Sequence, residues 1–191
     1  MSEKKNVLDI YDDILSGRVK LAQKTEETKT GSAAELLCSY LAMQRTMVVV
    51  FQHSHWKCKT NVNTTINTPF YGQHLLFERI YDAANDLIDT TAEKIIGIFG
   101  NDSLDHINQL DIMAGIYKKY NEEHLTNSIN ISKDFLKMAE DVYNRIKEMG
   151  DMTLGLDDMI MSQCSDVEGY LYLLKQASPE IKSEIESEPN E

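Results

Sequence analysis

The chain has 191 residues, 42% hydrophobic and 26% charged, which is the balance of one folded globular domain and excludes a disordered chain. A formal net charge of −12 repels nucleic acid and attracts cations. Three widely spaced cysteines, Cys38, Cys58 and Cys164, argue against a disulfide framework and show no CxxC zinc spacing. No apolar run approaches the roughly 20 residues of a membrane span, and "MVVVF" (47–51) is only core-sized. The start "MSEKKNVLDIYDDIL" lacks a signal-peptide pattern, so the expected location is cytoplasmic, without a membrane partner.

In chain order, residues 1–31 read as an N-terminal extension with a weak helical segment at about 5–22. A first long helix begins at "SAAE", where Ser32 and Glu35 have capping-box spacing, and runs to about Lys59. Its seam is Leu37, Leu41, Val48, Phe51 and His55, in steps of three or four once Gln44 is allowed. The loop "TNVNTTINTP" follows. A second helix starts near Thr68-Pro69, threonine as cap and proline in the first turn, and stops at Gly100. A short helix is expected at about 104–114, a third long one from Glu123 to Met149 before Gly150, and a fourth from Leu156 to Ala177 before Pro179. The acidic residues 178–191 read as a disordered tail. The expected architecture for 32–177 is all-α: a four-helix bundle with a short extra helix, and a crossover, in the connection between helices 2 and 3.

The second helix carries the chemistry. "HLLFERIYDAANDLIDTTAE" (74–93) holds His74, Glu78, Asp82, Asp86, Asp89 and Glu93 against one cation, Arg79. At about 100° per residue, His74, Glu78, Asp89 and Glu93 share one arc of roughly 100°, with Asp82 and Asp86 at its edge as candidate outer acids. Like charges four apart repel, which costs stability unless cations reside there. The bland reading is a solvated acidic face. Against it stand two i, i+4 pairs, His74/Glu78 and Asp89/Glu93, each of which points two ligands at one ion. They are 11 residues apart, roughly 16 Å of helix, so one chain cannot close them on one metal. An antiparallel two-fold pairing centred between Ala83 and Ala84 sets 74 against 93 and 78 against 89 of the second copy, making two identical sites. Ala83 and Ala84 are expected to permit close approach at the centre. One imidazole with three carboxylates suits Fe(II), Mn(II) or Zn(II). His55, at the end of the first helix, can add a second imidazole.

These residues resemble the Dps-type mini-ferritin family of the ferritin-like superfamily. The resemblance rests on "HSHWKC" (53–58), with His55-Trp56 matching the family's His-Trp pair, and on 74–100, with His, an acid four on, then Asp-x-x-x-Glu eleven later. It covers about 32–177. It implies a ferritin-like bundle assembled as a hollow dodecamer of two-fold dimers, and a ferroxidase that oxidises Fe(II) with hydrogen peroxide or oxygen. Ferric iron is stored, protecting against oxidative stress. Position by position it implies a site of His55, His74 and Glu78 from one subunit with Asp89 and Glu93 from its partner, Trp56 lying beside it. It also implies acid-lined entry pores, for which Asp151, Asp157 and Asp158 are the candidates. The 57–73 loop is longer than the family's, and His53 is a substitute for His55. The lysine-rich DNA-binding tail of many members is not matched, since only Lys4 and Lys5 stand at the front. The Glu-x-x-His pair of an intrasubunit di-iron site does not occur.

Other readings weigh less. A zinc cluster of His53, His55 and Cys58 conflicts with the roughly 200° between the two histidines on a helix. Cys58 and Cys164 read as small core or surface residues, the nine methionines as packing, and His106 and His124 as surface residues. The competing functional classes are a non-catalytic helical assembly, with a structural metal or merely a solvated acidic stripe, and a DNA-compacting protein.

Overall fold

The structure, a computed structural model, describes residues 32–58, 70–120 and 124–177. The expected segment at 5–22, the Thr68 cap with Pro69 and the acidic tail lie outside the described residues. Within them the regular structure is helical: α1 (Ala33–Lys57), α2 (Phe70–Phe99), a 3₁₀ turn (Asn101–Ser103), α3 (His106–Tyr117), α4 (His124–Met149) and α5 (Leu154–Gln176).

Local chemistry sets the boundaries. Ser32 and Glu35 close a reciprocal capping box, the Ser32 amide donating to Glu35 at 2.8 Å and the Glu35 amide to Ser32 at 3.3 Å. Asp105 accepts from the amides of Ile107 and Asn108, so α3 starts at 106 and extends to 117, past the expected end. Thr153 accepts from the Leu156 amide and starts α5 two residues earlier than the apolar periodicity indicates. Gly150, at φ 80°, ends α4 in the left-handed region, and the Asp151 amide reaches back to the Ile146 carbonyl at 3.2 Å.

Long-range contacts fix the topology. Ser54, near the end of α1, lies 3.0 Å from the His124 carbonyl and 2.7 Å from the Ser128 hydroxyl at the start of α4. His55 meets His74 near the start of α2. Both α2 and α4 therefore run antiparallel to α1 and parallel to one another. The chain must travel the length of the bundle between them, and α3 carries it along the outside of α1. The Cys38 thiol donates to the Ser103 carbonyl at 3.0 Å and Gln109 to the Cys38 carbonyl at 2.6 Å, while at the far end Tyr117 is hydrogen-bonded to His53. Neighbours around the bundle run α1, α2, α5, α4, with α3 packed on α1.

The seam of α1 is buried as its spacing requires: Leu37, Leu41, Gln44, Val48 and Phe51 meet Phe77, Ile80, Leu87 and Ile95 of α2 and Phe135 and Val142 of α4 in one core. By length and a mean hydropathy of 1.2 over 18 residues α1 is apolar enough to span a membrane, although it holds no long unbroken apolar run; 78% of that window is buried in the bundle. The buried polar side chains described are all neutral. Gln163 of α5 organises most of those at mid-bundle, accepting from Tyr40 and Gln44 of α1 at 2.9 Å each and donating to Thr91 at 3.1 Å and the Leu87 carbonyl at 3.3 Å. Among the described residues no carboxylate or imidazole is fully buried in this interior.

Candidate metal centre

The last two turns of α1 and the first of α2 form a compact histidine clasp. His55 and His74 stack with ring centroids 3.7 Å apart and planes 24° from parallel. Each ring binds the other residue's backbone: His55 Nδ1 lies 2.9 Å from the His74 carbonyl, and His74 Nδ1 lies 3.2 Å from the His55 carbonyl. A carbonyl only accepts, so Nδ1 is the donor in both rings, and in a neutral imidazole of that tautomer the lone pair is on Nε2. A backbone carbonyl at Nδ1 is the kind of contact that fixes ring orientation and tautomer in histidines that ligate metals through Nε2.

Two further side chains complete the clasp. Cys58, which caps α1 through its amide to the Ser54 carbonyl, donates its thiol to the His55 carbonyl at 3.1 Å and sits 3.8 Å from His74 Nδ1. It is buried, and burial raises its thiol above the ordinary 9.0, so it is a neutral donor packed behind the rings. Tyr81 stands edge-on to His55 at 5.5 Å, its phenol held above 10.0 by burial and by the Asp82 and Glu78 charges. Neither residue is indicated as part of the site by the acidic spacing. Tyr81, one turn past Phe77, is the kind of position that a facing-helix argument could find; Cys58 has no such signal.

Glu78 lies one turn beyond His74 and is half-buried, whereas Asp89 and Glu93 are exposed. The chain thus joins His55 to His74, sets Glu78 on the same helix four residues on, and leaves Asp89 and Glu93 roughly 16 Å further along α2. Among the described residues no group of three or more His, Cys, Asp and Glu is placed to hold a metal ion. Asp82 and Asp86 are exposed on the same outer arc.

One expectation needs correction. Ala84 does not lie on the outer arc; it is fully buried among the core residues, because 77, 80, 84, 87, 91 and 95 form the inward seam of α2. The outer surface at the middle of α2 is polar, with Asp82, Asn85 and Asp86 exposed. Close approach through a pair of alanines is therefore not the means by which two copies could meet.

The remaining candidates separate clearly. His53 points away from the clasp to the Tyr117 hydroxyl, its ring 5.3 Å edge-on from Trp56, so His53, His55 and Cys58 do not converge. Trp56 is 67% exposed next to His55. Asp151 follows Gly150, and Asp157 and Asp158 occupy the first turns of α5, Asp151 and Asp158 being exposed. His106 is exposed at the start of α3, and the His124 ring stands 6.3 Å from Phe77. All three cysteines are free thiols.

No family model and no curated protein matches this sequence. Among solved structures, the chain is similar to the X-ray structure of Dps from Thermosynechococcus elongatus, with a TM-score of 0.59 over 87% of this chain and 93% of that one, at 16% identity. The fold is a ferritin-like four-helix bundle. At this identity the likeness speaks for the architecture alone.

Proposed function

We propose that the protein is a Dps-like ferroxidase that oxidises Fe(II) with hydrogen peroxide or oxygen at sites shared between two subunits, and stores ferric iron in a hollow oligomer. The observation that carries this reading is the reciprocal histidine clasp: two imidazoles held Nδ1-protonated, one helical turn from Glu78, at the edge of an acidic arc. In this reading His55, His74 and Glu78 bind Fe(II) together with Asp89 of the partner subunit and Glu93 of the partner subunit. Trp56 lies alongside. Carboxylates stabilise Fe(III) more than Fe(II), which favours electron loss, and the backbone hydrogen bonds hold the imidazoles so that little reorganisation accompanies it. Two Fe(II) ions reduce one peroxide to two waters with uptake of two protons. The net charge of −12 draws Fe(II) inward and opposes DNA binding.

Anaerobic Fe(II) loading followed by peroxide tests the proposal. Ferric absorbance should develop at least tenfold faster than in buffer, and Asp89→Ala/Glu93→Ala should reduce it to the buffer rate. Equal rates for wild type and double variant would overturn it and leave the acidic arc as a solvated or structural-cation surface.

A further inference from the structure

Trp56 is the single tryptophan of the chain, and 67% of it is exposed. An indole is among the side chains most easily stripped of one electron, and one that stands in solvent meets any oxidant that reaches the surface. His53 lies three residues before it on α1, the spacing that makes side chains neighbours on a helix. The two rings meet edge-on with centroids 5.3 Å apart.

The same imidazole also meets a phenol. Tyr117 is the last residue of α3, and the buried side chains of Ile112 and Ile116 seat that part of the helix on α1. The Tyr117 hydroxyl is hydrogen-bonded to His53 Nδ1, and their ring centroids are 5.6 Å apart, again edge-on. His53 therefore touches two oxidisable rings, an exposed indole and a half-buried phenol.

An un-ionised phenol gives up an electron readily only when its proton leaves as well, so a base in contact decides whether it can react. Burial raises the Tyr117 phenol above 10.0, and at neutral pH it keeps its proton. A neutral imidazole with its hydrogen on Nε2 presents a lone pair at Nδ1, the atom that the hydroxyl meets. Chemistry and contact coincide at one nitrogen.

We propose that Trp56, His53 and Tyr117 form a relay that moves an oxidising equivalent from the protein surface to Tyr117. A one-electron oxidant removes an electron from Trp56, and the indole N–H proton passes to solvent, leaving the neutral indolyl radical. Tyr117 then gives that radical one electron and gives its hydroxyl proton to His53 Nδ1. The indole nitrogen recovers a proton from solvent. The products are intact Trp56, a tyrosyl radical at Tyr117 and an imidazolium at His53. The transfer runs downhill because a neutral indolyl radical is a stronger oxidant than a neutral tyrosyl radical. It carries the radical from an exposed ring to a half-buried one, where fewer molecules can reach it. The relay does not rest on iron chemistry, since any one-electron oxidant that reaches Trp56 starts it.

Pulse radiolysis in azide solution, where azidyl radicals oxidise tryptophan selectively, tests the relay without iron. In the wild type the indolyl absorbance should decay as tyrosyl absorbance grows, at one rate that does not depend on protein concentration. Tyr117→Phe, which loses only the hydroxyl, should prolong the indolyl radical about tenfold or more. His53→Gln can still accept a hydrogen bond but takes up no proton, and it should prolong the radical several-fold. Indolyl decay in either variant as fast as in the wild type would overturn the relay.

Discussion

A hydrogen bond to a carbonyl decides which nitrogen of an imidazole acts as the donor, and at His55 and His74 it decides for Nδ1 twice. Those bonds need the end of α1 and the start of α2 side by side, so the two rings are aimed by the packing of the helices. Elsewhere burial acts on residues with no part in the site. Burial, then the Glu35 and Asp105 charges, pushes the Cys38 thiol to about 11, and burial with Glu168 pushes Cys164 to about 11, both from 9.0. A folded-state value above the unfolded one gives stability that is complete below pH 9 and lost as the pH climbs from about 9 to 11, because the unfolded thiols ionise first. The urea midpoint should therefore fall between pH 8.5 and 10.5, and fall less in Cys38→Ser/Cys164→Ser. Equally steep profiles would assign the loss to other groups.

At the scale of elements, the helices and their ends were largely legible because caps and glycines are local signals: Ser32 with Glu35, Gly100 and Gly150 each mark their boundary. The Thr153 cap is not legible from periodicity because the apolar period of α5 begins only at Leu156, and the 3₁₀ turn at 101–103 has no periodic signature. The mid-bundle amide network was illegible for another reason. Gln163 meets Tyr40 and Gln44 across 123 and 119 residues, and nothing local announces such a partner. The acidic face of α2 was visible by spacing, whereas the backbone half of the clasp depends on where two carbonyls fall. Ten steps of 100° from His74 place Ala84 at about 280°, off the acidic arc, so its small size marks close packing in the core and not a contact between copies. Gln163→Leu should cost roughly 2–4 kcal/mol by leaving buried Tyr40, Gln44 and Thr91 without their shared partner. Adding Tyr40→Phe should return part of that loss in chemical denaturation; strict additivity would mean that the network is not coupled.

For the whole molecule, the proposed centre is a property of an assembly. Redox-inert Zn(II) should raise the melting temperature of the wild type by several degrees, since a ligand that binds only the assembled folded state stabilises it by mass action. His74→Ala and Asp89→Ala/Glu93→Ala should show no such rise, and particle mass should exceed that of a 21.8 kDa chain. A monomer at working concentration would sink the shared site outright.

The parallel run of α2 and α4 also governs how the chain can fold. In an up-and-down bundle each helix pairs with the next across a short turn, so structure grows by neighbouring steps. Here the contact of Ser54 with His124 closes a loop of 70 residues. Compared with a hairpin turn of about five residues, that closure costs nearly four doublings of loop length, roughly 2 kcal/mol. The α1–α2 and α4–α5 hairpins can each form early, but neither buries its apolar side until the crossover has been laid along α1. By contact order, this crossover topology predicts slower folding than an up-and-down bundle of the same length, which stopped-flow refolding would check.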